Sequence, residues 1–336
     1  YIFIINMLGN FFFLITICII VKYFKRLEKI FNIYDIPNSK RKIHKKKVSR
    51  FGGIFFFTAL LIFFCTKLDT INYLKFFSNL NFVLIGFLLF FLGIFDDKFN
   101  LKPFHKFFFL TAFYFLFFLL EETLLLKTLN VPSLNLIIVL SYFSFFFTLL
   151  CFIILSISLN MFDGINLQSS LFLFQVLFFI FLHGVLDNLV VYFLITNLVF
   201  LFFNFYGKAF LGEAGVLINS LVIGIYFIKL NNLNLTQNSL SVFLLLLYPI
   251  LDFLRIFFIL ILHGNNPLLP DSNHIHHIGL SKFGFKNYIV LSQSFIFITW
   301  ASYMLLNINI NISIFFGLAS YFYIITSVKI FKKAKK

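Results

Sequence analysis

Eleven apolar runs divide this chain, at about 2–21, 51–66, 80–95, 107–120, 135–159, 169–182, 189–205, 215–230, 240–262, 288–306 and 312–328, with short polar stretches between them. About 20 apolar residues cross a bilayer as a helix, because inside it no water is available to satisfy the backbone of an open strand or a loop. The expected fold is therefore all-α, a polytopic integral membrane bundle of about 11 transmembrane helices. Composition agrees: 61% of residues are hydrophobic and 12% charged, against about 25% charged in a soluble domain. Disorder is excluded on the same ground. No Pro/Gly linker and no repeat of fixed period interrupts the pattern, so a single integral-membrane domain over 1–336 is expected. Some runs are short for a full crossing, and tilt or burial within protein must cover the difference. Residues 2–21 carry their basic flank after the apolar run, the reverse of a cleaved signal peptide, and read as a first membrane helix. The cysteines, Cys18, Cys65 and Cys151, lie inside apolar runs without a partner at motif spacing, which predicts neither disulfide nor metal site.

The net charge of +15 would suggest nucleic acid in a soluble protein. Here the cations lie between membrane runs, so no nucleic acid is expected and the charge speaks to orientation instead. With residue 1 outside, 23 of the 27 Lys and Arg fall on the inner side, leaving only Lys67, Lys75, Lys127 and Lys229 outside. The positive-inside rule thus predicts the N-terminus outside and the C-terminus cytoplasmic. The same side collects Glu28, Asp35, Asp96, Asp97, Asp163, Glu213, Asp252 and Asp271, and every histidine except His183. A protein that passes solute through its middle places ionisable groups at mid-helix. Groups gathered near helix ends on one face point to surface chemistry on an anionic, lipid-borne substrate.

Five patches on that face carry the candidate chemistry. The adjacent carboxylates Asp96 and Asp97, followed by Lys106, repel each other and call for a cation or a shared proton, which magnesium held between carboxylates and phosphates would satisfy. A solvated loop of mixed charge accounts for the pair alone equally well. Asn160-Met-Phe-Asp163-Gly-Ile-Asn166 ends an apolar run with no basic residue to neutralise Asp163. Lys208-Ala-Phe-Leu-Gly212-Glu213-Ala-Gly215 opens the next helix; its glycines allow close backbone approach, and free N–H groups there favour an anion. Glu213 reads either as a helix cap or as a metal ligand. His274-Ile-His276-His277 follows Pro270-Asp271, and without cysteines it is a better phosphate-facing cluster than a zinc site. The last patch is the basic loop from Asp35 to Gly53, which includes Arg50. A lysine-rich loop of this kind is generically a topology determinant.

Taken together and in this order, the patches resemble those of the polyprenyl-phosphate N-acetylhexosamine-1-phosphate transferases, glycosyltransferase family 4. The resemblance runs from Asp35 to His277, and the His-Ile-His-His form after Pro267 and Pro270 is similar to the O-antigen-initiating branch. It implies transfer of a sugar 1-phosphate from a UDP-activated sugar to undecaprenyl phosphate, with release of UMP, on the cytoplasmic face of a bacterial inner membrane. It further implies Asp96, Asp97 and Asp163 as catalytic residues and Glu213 with Asp97 as ligands of magnesium. Asn160, Asn166, Lys106, Lys208, His274, His276, His277 and Arg50 would bind substrate. Membrane lipids are the surroundings, and a homodimer is compatible with such a protein.

Several departures from the family pattern stand out. Glu213 occupies a metal position that is usually Asp, and Val216 replaces the serine of Gly-Asp-x-Gly-Ser. The extra methylene displaces the carboxylate by roughly 1 Å, enough to disturb a tight octahedral magnesium site and to make manganese acceptable. Leu167 stands where a glycine is typical, and Lys47-Val-Ser-Arg50 replaces Pro-Val-Pro-Arg. Two other functions stay open from the residues: a transporter or flippase for an anionic lipid-linked compound, and a catalytically weak relative acting as a scaffold.

Overall fold

The computed structural model describes residues 2–37, 46–67, 80–183, 187–233, 238–267 and 273–333. Among them are eleven α-helices: α1 (Ile2–Phe31), α2 (Gly52–Lys67), α3 (Leu80–Phe99), α4 (Pro103–Leu120), α5 (Ser144–Phe162), α6 (Gln168–Leu182), α7 (Asn188–Phe205), α8 (Gly212–Asn232), α9 (Leu240–Leu262), α10 (Ile275–Met304) and α11 (Ile310–Lys333). Six segments are long and apolar enough to cross a membrane: α3, α4, Ser141–Phe162, α7, α8 and α9. Shorter apolar helices cover Gly52–Thr66, Gln168–Leu182 and Ile310–Thr326.

At the centre lies α8, which packs on α2, α3, α5 and α6 and is buried along nearly its whole length. A helix that is apolar on every side can be covered only by other helices. Close approach comes from small residues, as is usual where lipid gives helices no hydrophobic reason to associate. Gly93 of α3 lies against the start of α8, where a Cβ would stand 2.3 Å from the Cα of Ala214. Phenylalanine fills much of the remaining space; Phe57 of α2 and Phe90 of α3, for example, stack with centroids 3.8 Å apart.

The helices alternate, and contacts between connecting segments sort their ends. Arg50 before α2, Asp97 near the end of α3, Lys106 in α4, Asp163 after α5, Glu213 in α8 and His274 before α10 all line one cavity at one end of the bundle. At the other end, the side-chain amide of Asn231 donates to the Thr128 carbonyl and that of Asn81 to Glu121. That end carries a hairpin of β3 (Thr128–Val131) and β4 (Leu136–Val139).

The hairpin corrects the expected run 135–159. Its first residues pair as a strand, and helix α5 begins only at Ser144. The cause is local: Pro132 starts a short 3₁₀ turn, Asn135 takes φ 50° in the left-handed region, and Ile137, Ile138 and Val139 favour a strand. An apolar run alone does not separate strand from helix. The expected span 288–306 likewise belongs to a longer helix, α10, which starts at Ile275 and is broken at Gly284 (φ 73°, ψ 168°).

Candidate active site

The cavity holds about 840 Å³ and is lined by residues of α3, α4, α5, α8 and α10, of the loops beside them and of the first loop. A two-residue pairing, β1 (Tyr34–Asp35) with β2 (Val48–Ser49), brings Asp35 beside Arg50. Ser49 then pairs with the loop before α8: the Phe210 N–H donates to the Ser49 carbonyl (2.8 Å) and the Gly52 N–H to the Phe210 carbonyl (3.0 Å). Asn204 at the end of α7 ties two further loops together. Its Oδ1 accepts from the Leu167 N–H (2.5 Å) and the Ser170 hydroxyl, and its amide donates to the Ala209 carbonyl.

The N-terminus of α8 has no capping side chain of its own, yet a helix start presents N–H groups that need acceptors. Asp97 supplies them across the α3–α8 contact: Oδ1 accepts from the Glu213 N–H (3.0 Å) and Oδ2 from the Ala214 N–H (3.2 Å). Asp163 accepts from the Gly212 N–H. The sequence suggested that these N–H groups would meet an anion, and the anions they meet here are the chain's own carboxylates. Arg50 then bridges Asp97 (3.4 Å) and Asp35 (2.7 Å). Asp97, 5% exposed, is thus a strut with both oxygens engaged by α8 and Arg50.

Glu213 is as buried as Asp97, and Asp96 is less so. Asp96 accepts from the Leu101 N–H and lies 3.4 Å from the Lys106 ammonium. Lys106 also contacts Glu213 Oε2 at 2.5 Å. The other oxygen of Glu213, Oε1, is buried without a hydrogen-bond partner among the described residues, as is Asn166 Oδ1. Asp163 accepts from the Ser169 hydroxyl. Burial pushes its carboxyl up to about 6, with the Glu213 charge adding to the rise and the Ser169 bond, Arg50 and the Gly212 N–H opposing it. Five carboxylates and two cations, Arg50 and Lys106, line the cavity among the described residues.

The histidines close the cavity from α10. His274 and His276 stack parallel, 3° apart with centroids 5.7 Å apart, and His277 lies against His276. The His276 ring covers Gly164, where a Cβ would sit 2.2 Å from Nε2. Behind them Asp252 of α9 accepts from His274 Nδ1 (2.9 Å), the Ile275 N–H (3.0 Å) and Arg255 (2.7 Å).

Of the sequence-predicted residues, Asp96, Asp97, Asp163, Asn160, Asn166, Lys106, Glu213, Arg50, His274, His276 and His277 all line the cavity. Lys208 does not; its ammonium lies over the rings of Tyr206 (5.3 Å) and Phe202 (5.8 Å). Sequence reasoning missed the scaffold roles of Asn204, Ser169, Asp252 and Arg255. For the last two a signal existed: an acid and an arginine three residues apart inside an apolar run are costly in a membrane unless they serve something.

No curated protein matches the chain significantly. Residues 79–231, which span α3 to α8 and hold the Asp96-Asp97, Asp163 and Glu213 patches, match the model of glycosyl transferase family 4. Over that stretch the chain is similar to this family of transferases.

Proposed function

We propose that the chain transfers a sugar 1-phosphate, N-acetylhexosamine 1-phosphate, from a UDP-activated sugar to undecaprenyl phosphate and releases UMP. The reaction would start a cell-envelope glycan of the O-antigen type at the cytoplasmic face of a bacterial inner membrane. The observation that supports it is the convergence of five patches, far apart in sequence, on one cavity at a bundle end. A diphosphate donor and a lipid phosphate bring several negative charges together, and phosphoryl transfer is mainly a matter of positioning them and neutralising charge.

Asp96 is the carboxylate taken as the base, because its side chain is more open to the cavity than those of Asp97 and Glu213 and no backbone N–H takes its Oδ2. It accepts the proton of the lipid phosphate. The freed oxygen attacks the sugar-bearing phosphorus in line, the bond from that phosphorus to the bridging oxygen breaks, and UMP leaves with the electron pair. Lys106, Arg50 and the histidines face the accumulating charge. Asp163 is the nucleophile of the covalent alternative. Its engagement by Ser169 and the Gly212 N–H makes it a poor one. A covalent enzyme would exchange labelled UMP into the UDP-sugar without acceptor, and robust exchange dependent on Asp163 would count against direct attack.

The cavity residues suit magnesium. Among the described residues carboxylates outnumber cations in the cavity, and Glu213 Oε1 has no hydrogen-bond partner. No three acidic, histidine or cysteine side chains form a ready-made cage among the described residues. Magnesium commonly takes only one or two carboxylates beside substrate phosphates. Glu213 would hold it, with Asp96 or Asp163 alongside. The bound ion supplies neutralisation of the diphosphate. The longer Glu213 side chain should widen tolerance to manganese, and Glu213→Asp should shift preference back toward magnesium.

The test is a panel of radiolabelled UDP-sugars incubated with undecaprenyl phosphate and membranes carrying the chain. Label should enter the lipid fraction for at least one sugar, and Glu213→Ala should abolish it. No labelled lipid with any donor would sink the transferase reading. Activity of Glu213→Ala within a few-fold of the starting enzyme would reduce Glu213 to a helix residue. A reporter after Lys336 should act as cytoplasmic and one near Asn72 as external; the reverse would put the cavity on the wrong side for a nucleotide sugar.

A further inference from the structure

We infer that Asp252 is a positioning residue of the site. From α9 it fixes the His274 ring with its proton on Nδ1 and pins the first turn of α10, so that the histidines meet the cavity in one orientation.

The geometry is specific. A carboxylate can only accept, so His274 Nδ1, 2.9 Å from Asp252 Oδ2, must donate. In the neutral ring this leaves Nε2 as the bare nitrogen; which nitrogen is which is set by the hydrogen bond the other one makes. The second oxygen, Oδ1, accepts from the Ile275 N–H (3.0 Å), the first residue of α10. That helix has no side-chain cap of its own. One carboxylate therefore sets both the backbone at the helix start and the protonation of the ring beside it.

Asp252 is itself held. It is 2% exposed, and Oδ1 also meets Arg255 (2.7 Å) and the Tyr321 hydroxyl (3.3 Å). Arg255 donates further to the Tyr321 hydroxyl (3.0 Å) and to the Asn273 carbonyl (2.6 Å), the residue before His274. Both oxygens of this buried carboxylate thus have donors. The arrangement then passes to the cavity through the parallel His274 and His276 rings, the second of which covers Gly164 next to Asp163. Asp252, Arg255, His274 and Tyr321 all lie outside residues 79–231, the stretch that matches the family.

The ring assignment is independent of the proposed reaction; the effect on the nucleotide donor rests on that reading. The chain is produced with ¹⁵N-labelled histidine, and the His274 signals are assigned by their loss in His274→Gln. At pH 8.5 the starting protein should show a protonated Nδ1 and a bare Nε2. Asp252→Asn, which can turn its amide toward the ring, should move His274 toward the Nε2–H form. A His274 ring with bare Nδ1 in the starting protein overturns the inference, and so does an unchanged ring in a folded Asp252→Asn. If that variant does not fold, the starting protein's signal still decides. The second readout is the affinity for UDP with magnesium. Asp252→Asn should weaken it roughly tenfold, the size typical when a group orienting a histidine is lost. In a His274→Ala background the same change should add little, because Asp252 acts through that ring. Additive losses would mark a merely structural role and overturn the inference. A starting protein with the expected ring but no affinity for UDP would count against the transferase reading alone.

Discussion

Helices α8 and α10 both start at the cavity without a cap of their own, and each is capped from a neighbouring helix by an aspartate paired with an arginine. For α8 the pair is Asp97 with Arg50, and for α10 it is Asp252 with Arg255. The uses differ. Asp97 gives both oxygens to successive N–H groups of α8, so it fixes where the backbone that carries Glu213 sits. Asp252 divides its oxygens between the Ile275 N–H and the His274 ring, so it fixes a proton as well as a backbone. The same electrostatic device, a carboxylate at the positive end of a helix, builds a frame on one side of the cavity and orients a titratable ring on the other.

The largest expected effect separates the two. Asp97→Ala removes two buried backbone acceptors and half of Arg50's neutralisation. Breaking a buried charge pair from one side costs about 3–5 kcal/mol, so this variant should melt far below the starting protein in detergent and lose activity with its fold. Asp252→Ala removes one backbone acceptor, and Arg255 keeps the Tyr321 hydroxyl and the Asn273 carbonyl. Its melting temperature should fall less. An Asp252→Ala loss as large as that of Asp97→Ala would dissolve the distinction between frame and orienter.

Sequence and structure agree on the cavity for a physical reason. In a membrane chain, polar residues at span ends are few and expensive, so patches such as Asp96-Asp97 and Asn160 to Asn166 stand out against the apolar runs. What the sequence could not reveal is how those residues are engaged. Capping rules look for a side chain next to the helix it caps, whereas Asp97 caps a helix that begins more than 100 positions later. Lys208, which the resemblance implied would bind substrate, instead lies over Tyr206 at the turn before α8. The hairpin at 128–139 was hidden because its second strand is as apolar as a span, and only Pro132 and Asn135 hinted at a break.

A smaller effect should appear on the α10 side alone. Gly164→Ala would place a Cβ 2.2 Å from His276 Nε2. The obstacle is the end of a side chain, so the ring can swing away and the fold should survive. Melting temperature should change little while UDP affinity drops several-fold. A large loss of stability would mean that the histidine stack is part of the frame and not a separate layer upon it.

Asp163 sits where the two sides meet, accepting from Gly212 of α8 and lying next to Gly164 under His276. Its carboxyl rises from 3.8 to about 6 because burial penalises the charge. The folded chain therefore binds this proton more tightly than the unfolded chain, and the charged form costs stability that grows as pH rises from about 4 through 6. With chelator present, Asp163→Asn should raise the melting temperature at pH 7.5 and give no gain near pH 4, with turnover absent throughout. A gain independent of pH would show that the charge of Asp163 is not what the fold resists.

The smallest effect concerns the loop that joins the two sides. Leu167 takes φ 68°, the left-handed region that favours glycine, at the position where the family pattern usually has one. Holding a side chain there costs roughly 1–2 kcal/mol. The strain is compensated locally: the Leu167 N–H donates to Asn204, and the side chain packs on the core. Leu167→Gly would relieve the strain. It would also lose part of a side chain's burial, about 1 kcal/mol, and enlarge the freedom of the unfolded chain by about 0.5–1 kcal/mol. These terms nearly cancel, so the melting temperature should stay within a few degrees and turnover should persist. Leu167→Val keeps the unfavourable φ and adds a β-branch that tolerates it worse, so it should melt clearly below Leu167→Gly. The reverse order would mean that the packing of Leu167, and not the backbone turn beneath it, holds Asp163 and Gly164 between the two caps.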